Sequence, residues 1–263
     1  MPAIRQRKFA CGAEILNQPF PKNKRKKENG SVTWRTNKLV LALRSVARSV
    51  GVTKLLAKLL GRNGYESSFD VAMISAVTAG STVWDIGANV GHYTVKFAEA
   101  VGDEGHVVAF EPSALNRREL EAAVSNLSNV KVVAKAMGSQ ESQQFLMQGE
   151  DELGATSRVV ENHTADADVI DVTTGDIFAA RRSDGYPAFI KIDVEGFELD
   201  VLRGMQQVLR SNDLVTIGVE VHFSLLSQRG QPDAPAEIEQ LLRDAGFDLQ
   251  WTDSSHILAR RSS

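Results

Sequence analysis

Between Val83 and His222, short apolar runs alternate with helix-patterned stretches, and this alternation constrains the fold more than any other feature of the chain. Val83-Trp84-Asp85-Ile86 reads as a buried strand, followed by a glycine-rich turn and a helix through Tyr93 to Val101. His106 to Phe110 is a second strand with Leu115 to Asn126 as its helix, and Val130 to Ala134 is a third. Ala188 to Asp193 gives the fourth strand, a helix from about Glu198 to Leu209 follows, and Leu214 to His222 is the fifth. Strands separated regularly by helices need crossover connections, so they build βαβ units and a mostly parallel sheet covered on both faces. A helix from about Ala236 to Ala245 precedes two last runs, Phe247–Trp251 and His256–Arg260, whose short polar link marks a C-terminal β-hairpin. The expected fold class is α/β, doubly wound.

Length allows one large domain or one domain with an appendage, at about 150 residues per domain for a chain of 263. The charge distribution favours the appendage. Of 30 Lys and Arg, 15 lie within residues 1–62, where the only acids are Glu14 and Glu28. Residues 1–33 carry the run Lys22-Asn23-Lys24-Arg25-Lys26-Lys27 and no apolar period, and read as a basic disordered tail. In residues 34–64, Leu39, Leu43, Val46 and Val50 recur at helical spacing, and Leu55, Leu56, Leu59 and Leu60 resume the stripe beside Lys54 and Lys58. Such amphipathic basic helices dock on their parent domain or lie on an anionic membrane surface. The α/β domain is expected over 65–263. Oligomeric state is not legible.

The single cysteine, Cys11, excludes an intrachain disulfide framework and a Cys-rich zinc site. No apolar run approaches 18 residues, so no membrane-spanning helix is expected. Phe9 to Leu16 is short and contains Glu14, unlike a secretory signal, so the expected compartment is the cytoplasm.

Asp85-Ile86-Gly87-Ala88-Asn89-Val90-Gly91 places glycines at the end of the first strand, immediately before a helix. Glycines there permit a tight turn and let backbone approach a ligand near a helix N-terminus. The spacing is G-x-x-x-G, not the G-x-G-x-x-G of dinucleotide sites, which disfavours a nicotinamide dehydrogenase. Anionic Asp85 suits a ligand bearing an ammonium group. Phe110-Glu111-Pro112 puts a carboxylate at the C-terminal edge of the second strand, where acids accept hydrogen bonds from ribose hydroxyls. Either motif alone is often just a strand–helix turn. Together they favour a nucleoside-plus-amino-acid ligand such as S-adenosylmethionine.

Lys191-Ile192-Asp193-Val194-Glu195-Gly196-Phe197-Glu198 ends strand four, and Val219-Glu220-Val221-His222 ends strand five. Charges at the end of buried strands are costly unless paired or used. Period-two alternation puts Lys191 with Asp193 on one face, and Glu220 with His222 on one face. If the strands are neighbours, all four gather at the edge where open α/β sheets bind ligands. The competing reading makes Asp193 a helix cap and Lys191 with Glu220 a satisfied ion pair. His92, after Gly91, lines the cofactor's methionine end or only a helix face; His106, His163 and His256 show no partner pattern.

VWDIGANVGHYT, FEP, KIDVEGFE and VEVH, in this order and spacing, resemble the FkbM family of S-adenosylmethionine-dependent methyltransferases. The resemblance covers roughly Tyr65 to Arg260. It implies a seven-stranded Rossmann-like sheet and O-methylation, usually of a sugar or natural-product hydroxyl. It implies a cofactor loop of Asp85, Gly87, Asn89 and Gly91, with Glu111 on the ribose and Ala136-Met137 by the adenine. Met137 stands where many related enzymes offer an acid.

Methyl transfer to a hydroxyl requires alignment of oxygen, carbon and sulfur, and a group to take the hydroxyl proton. Asp193 or His222 is expected to take it, with Glu220 orienting His222 and Lys191 beside them. A divalent cation on this cluster is a weaker alternative, because three ligands on two strands is a loose pattern; no metal is expected. Thr156, Ser157, Arg158 and His163, in the polar stretch Gly154 to Asp168, face substrate or belong to an ordinary loop. Two rival functions remain: an RNA methyltransferase gripping phosphates with its basic tail, and a non-catalytic cofactor-binding module.

Overall fold

A computed structural model of the protein describes residues 68–147, 158–160, 167–182 and 185–262. The expected tail over 1–33 and helices over 34–64 lie outside the described residues, as do Thr156, Ser157 and His163.

The chain enters through helix α1 (Ser68–Ala76) and then alternates β1 (Thr82–Ile86), α2 (His92–Val101), β2 (His106–Phe110), α3 (Ala114–Ala123) and β3 (Val130–Val133). After an excursion, β8 (Phe189–Ile192), α5 (Glu198–Arg203), α6 (Gln206–Arg210) and β9 (Thr216–Glu220) return to the same sheet. Helices α7 (Phe223–Gln228) and α8 (Ala234–Asp244) lead to the hairpin β10 (Phe247–Trp251) and β11 (His256–Arg261). The seven strands lie in the order β10-β11-β9-β8-β1-β2-β3. β3, β2, β1, β8 and β9 pair in parallel, and β11 runs antiparallel to both neighbours. This is the doubly wound Rossmann-like sheet with a C-terminal hairpin that the sequence pattern and the family resemblance implied.

Alternation along the central strands sorts side chains to two cores. Trp84, Ile86, Val108, Phe110, Ile190, Ile192, Ile217 and Val219 pack on one face beneath α5, α6 and α8. Val83, Val107, Phe189 and Leu258 face the other way and pack with Phe69 and Met73 of α1 and Phe97 of α2. Gly218 makes the second contact possible, since a Cβ there would sit 2.0 Å from the Met73 sulfur. The C-terminal edge of the hairpin is tied down by Arg261. Its guanidinium donates to the carbonyls of Leu209, Ser211, Leu214 and Ala245.

Two features depart from the expected elements. The connection between β3 and β8 contains a second sheet, built from β4 (Ala136–Met137), β5 (Ser142–Met147), β6 (Arg158–Val160) and β7 (Ala167–Thr173) in the order β4-β7-β5-β6. Ser142-Gln143-Gln144 offers no continuous apolar face, so periodicity does not reveal these strands; long-range antiparallel pairing of β5 with β7 forms them.

The helix expected from Glu198 to Leu209 is broken at Gly204-Met205 into α5 and α6. A Cβ on Gly204 would lie 2.0 Å from the carbonyl oxygen of Gly138, so the break admits the backbone after β4. Asp176, in helix α4 (Gly175–Ala180), accepts from the backbone N–H groups of Gln207 and Val208 at 2.9 and 3.0 Å and so caps α6 from outside. We expect Asp176→Ala to lower unfolding free energy by about 1–2 kcal/mol in urea titrations, the cost of a lost helix cap.

Candidate active site

Strands β1, β2, β8 and β9 all deliver their C-terminal ends to one edge of the sheet, and a cleft opens there. Gly87, Asn89, Glu111, Ala136, Met137, Asp193 and Glu195 are among its walls. The second sheet contributes Gln144, Leu146 and Val172, so the excursion that broke the expected pattern forms one side of the cleft.

On the β1–β2 side the turn after β1 passes through left-handed backbone at Gly87, Asn89 and Gly91 (φ 78°, 50° and 93°). A Cβ on Gly87 would fall 1.8 Å from the Asp193 carbonyl oxygen, so only glycine lets the two strand ends come together. Gly91 is off the cleft; a side chain there would collide with Leu120 of α3. The Glu111 carboxylate is clamped by the N–H of Asn89 at 2.8 Å and that of Ser113 at 2.9 Å. Burial raises its pKa, against the lowering effect of those two N–H groups. Asn89 Oδ1 is buried with no hydrogen-bond partner among the described residues. An orphaned acceptor beside a clamped carboxylate fits a ligand bearing hydroxyl and amino donors. These residues therefore fit S-adenosylmethionine.

Asp85 does not face that ligand. It is 0% exposed, accepts from Thr94 Oγ1 at 2.6 Å, and lies 3.3 Å from the Lys191 ammonium across the β1–β8 register. The expectation that it would receive an ammonium of the cofactor is corrected accordingly: it receives one from the protein. Lys191 is 3% exposed; it donates to the Gly87 carbonyl at 2.8 Å and lies 3.4 Å from Asp193. Its partners are Asp85 and Asp193, not Glu220. Burial alone would lower its pKa, but the two carboxylates outweigh this and raise it, so Lys191 stays charged and serves as a strut.

On the β8–β9 side, His222 stands inside a ring of acids. Its Nδ1 is 2.7 Å from Glu198 Oε1, and its Nε2 lies 3.2 Å from Glu195, 3.7 Å from Asp193 and 3.9 Å from Glu220. Burial opposes its charge, but these carboxylates prevail and raise the pKa to about 9. Burial pushes Glu195 up to about 7, with His222 pulling the other way. Glu198, rather than Glu220, is the carboxylate that orients His222. Glu220 is turned mainly to His256, at 3.3 Å, whose Nδ1 meets Asp253 at 2.8 Å.

The structure thus brings Lys191, Asp193, Glu220 and His222 together, as the strand alternation implied, and adds Glu195, Glu198 and His256. Glu195 and Glu198 stand in the KIDVEGFE stretch itself and were legible as residues but not as partners. His256 was missed; it joins through its register opposite Glu220 in the β9–β11 pairing, and the spacing Asp253-x-x-His256 was the available signal. His92 is exposed at the start of α2 and away from the cleft wall. Arg158 falls in β6.

A family profile described as the FkbM methyltransferase domain matches residues 85–249. The hexuronic acid methyltransferase AglP of Haloferax volcanii is 26% identical over 189 residues, covering 69% of this chain and 71% of its own length. Among solved structures, Aeropyrum pernix fibrillarin with bound S-adenosyl-L-methionine is 11% identical, covers 73% of this chain and 75% of that one, and gives a TM-score of 0.46. A putative rRNA methylase from Clostridium thermocellum is 14% identical over 74% of this chain and 94% of that one, at a TM-score of 0.49.

Replacing Lys191 by Met removes the countercharge of Asp85 found among the described residues while leaving Asp85 and Asp193 on either side of the vacated position. The expected loss is about 3–5 kcal/mol in equilibrium unfolding, the cost of breaking a buried pair from one side. Adding Asp85→Asn to Lys191→Met should recover part of it.

Proposed function

The chain belongs to the FkbM methyltransferase family and uses S-adenosylmethionine, and from that premise we propose that it methylates a hydroxyl oxygen of a sugar or similar polyhydroxylated acceptor. When bound, the cofactor supplies an electrophilic methyl group on a sulfonium. The Glu111 carboxylate, set by two backbone N–H groups, receives the ribose hydroxyls. Asn89 Oδ1 accepts from a cofactor donor, and Ala136 and Met137 lie on the adenine side of the cleft. Gly87 keeps the wall low by its missing side chain. Gly91 supports the turn by packing, and Asp85 supports it through Lys191.

Asp193 is the group placed to meet the acceptor. Asp193 is a residue of the cleft wall, whereas His222 is not, and both His222 ring nitrogens are engaged by surrounding acids. Lys191 fixes one Asp193 oxygen and the other remains for the hydroxyl and its proton. Alignment contributes more to such a transfer than base strength, so a carboxylate suffices.

The observation that carries the sugar reading is the crowd of carboxylates at this end of the cleft. Asp193, Glu195, Glu198 and Glu220 all lie within 4 Å of one imidazole. Such a field repels the phosphates of RNA and accepts hydrogen bonds from neutral hydroxyls. The hexuronic acid methyltransferase relative supports the same acceptor class. We place this activity in a domain spanning 65–263, with 1–33 and 34–64 as a basic appendage open to an anionic surface. No described helix is long and apolar enough to cross a membrane.

Incubation with methyl-labelled donor and a cell extract should place label in a glycan or lipid-linked sugar; label in RNA instead would overturn the reading. Asp193→Asn should cut turnover by about 10²–10⁴ while keeping S-adenosylhomocysteine affinity in calorimetry, and unchanged turnover would remove Asp193 from the chemistry. Glu111→Gln should weaken S-adenosylhomocysteine by about tenfold or more, the worth of hydrogen bonds to a charged group.

A further inference from the structure

The acids at the cleft's β8–β9 end outnumber the cations available to them. A continuous chain of ion pairs runs from Asp85 through Lys191 and Asp193 to His222 with Glu195 and Glu198, then through Glu220 to His256 and Asp253. It holds six carboxylates against Lys191 and two imidazoles. Even with both rings protonated, half the negative charge is uncompensated within the network.

Glu198 makes the shortage acute. It is 0% exposed, its Oε1 accepts from the Gly196 N–H at 2.8 Å and meets His222 Nδ1 at 2.7 Å, and its Oε2 is buried with no hydrogen-bond partner among the described residues. A fully buried carboxylate aimed at an imidazole, with one oxygen left bare, is destabilising unless more positive charge lies beyond the ring. It is also the arrangement that fixes metal-binding histidines, where the ring nitrogen facing away from the metal donates to a carboxylate.

On the far side of that ring the geometry is ready. His222 Nε2 is 3.2 Å from Glu195 Oε2 and 3.7 Å from Asp193 Oδ1, and one ligand atom from each of the three residues lies within 4.8 Å of the others. Atoms that each sit about 2.1 Å from a shared ion lie roughly 3.0–3.4 Å apart, so the cluster has to draw together to hold one. Asp193 and Glu195 are also on the cleft wall.

We propose that Asp193, Glu195 and His222 bind a divalent cation, which displaces the Nε2 proton of His222 to solvent on binding, with Glu198 accepting from Nδ1–H and holding the imidazole in its ligating orientation. Two carboxylates and one imidazole suit a cation between the oxygen-preferring and nitrogen-preferring classes, of the Mn²⁺ kind. Its remaining coordination positions would open toward the cleft, where oxygens of a polyhydroxylated acceptor come to lie. This deepens the acceptor reading and rests on it only for that last step. A cation on Asp193 Oδ1 would compete with the acceptor's proton for that oxygen, so the cation would shift Asp193 from proton acceptor to ligand.

The test is titration of the chelator-treated, dialysed full-length protein with Mn²⁺, following loss of the free-ion signal by electron paramagnetic resonance. Saturable binding of a single Mn²⁺ per chain is expected. Glu195→Gln, on the more exposed rim, and His222→Gln should each weaken it by about tenfold or more, and Glu198→Gln by about 10–100-fold, as loss of a supporting carboxylate does. Each variant is checked for S-adenosylhomocysteine binding by calorimetry, which a fold defect would abolish and loss of the ion would spare. Absence of saturable Mn²⁺ uptake in protein that still binds S-adenosylhomocysteine overturns the cation site and leaves the methyltransferase reading intact. Uptake unchanged in Glu195→Gln and His222→Gln overturns it equally.

Discussion

A single buried ammonium holds the site together. Lys191 sits in the middle of β8, a strand buried along its length, and joins Asp85 on β1, Asp193 beyond the end of its own strand, and the carbonyl of Gly87. A charge in that position is tolerable because two carboxylates and a carbonyl oxygen surround it. The consequence is geometric. The glycine turn and Asp193, both on the cleft wall, are fixed relative to each other by one side chain. Transfer between two bound molecules depends on such alignment more than on the strength of any one acid or base. Tyr93 lies over the same ammonium and is itself bonded to Asp70, so α1 and α2 close the pair off from solvent.

Electrostatics at the other end of the cleft follow from topology. Parallel β8 and β9 end side by side, and antiparallel β11 brings His256 opposite Glu220. Acids from three segments therefore converge on two imidazoles. The raised pKa of His222, held up by Glu198, Glu195 and Asp193 against the effect of burial, is a direct result. This is why the ring is better understood as a centre around which carboxylates are organised than as a free base.

The second sheet gives the cleft its depth. Without β4, β5 and β7 the cofactor edge would be an open rim; with them, Met137, Gln144, Leu146 and Val172 form a facing wall. Gly138 and Gly204 meet where this sheet touches the main one, and the broken helix α5–α6 is the local cost of that approach. Asp176 offsets it by capping α6 from a neighbouring helix.

How far the chain speaks for itself is clear from particular residues. Short continuously buried runs in TVWDI and FIKI, glycines at 87 and 91, and acids at strand ends are local signals, and they determine the order of strands and helices, the doubly wound sheet and the gathering of Lys191, Asp193, Glu220 and His222. Pairings between side chains are not local. That Lys191 chooses Asp85 over Glu220, that Glu198 rather than Glu220 orients His222, and that His256 enters the cluster depend on register and on distances between residues 24 to 106 positions apart, or on strand β11 folding back beside β9. The second sheet escapes sequence reading for the same reason: its apolar positions, Leu146, Ile170 and Val172, are few and scattered, and the pairing of β5 with β7 is what makes one face of them. Sequence alone determined the element pattern because burial is written residue by residue; tertiary structure decided the charge partners, because an ion pair is set by which chain segments the fold makes neighbours.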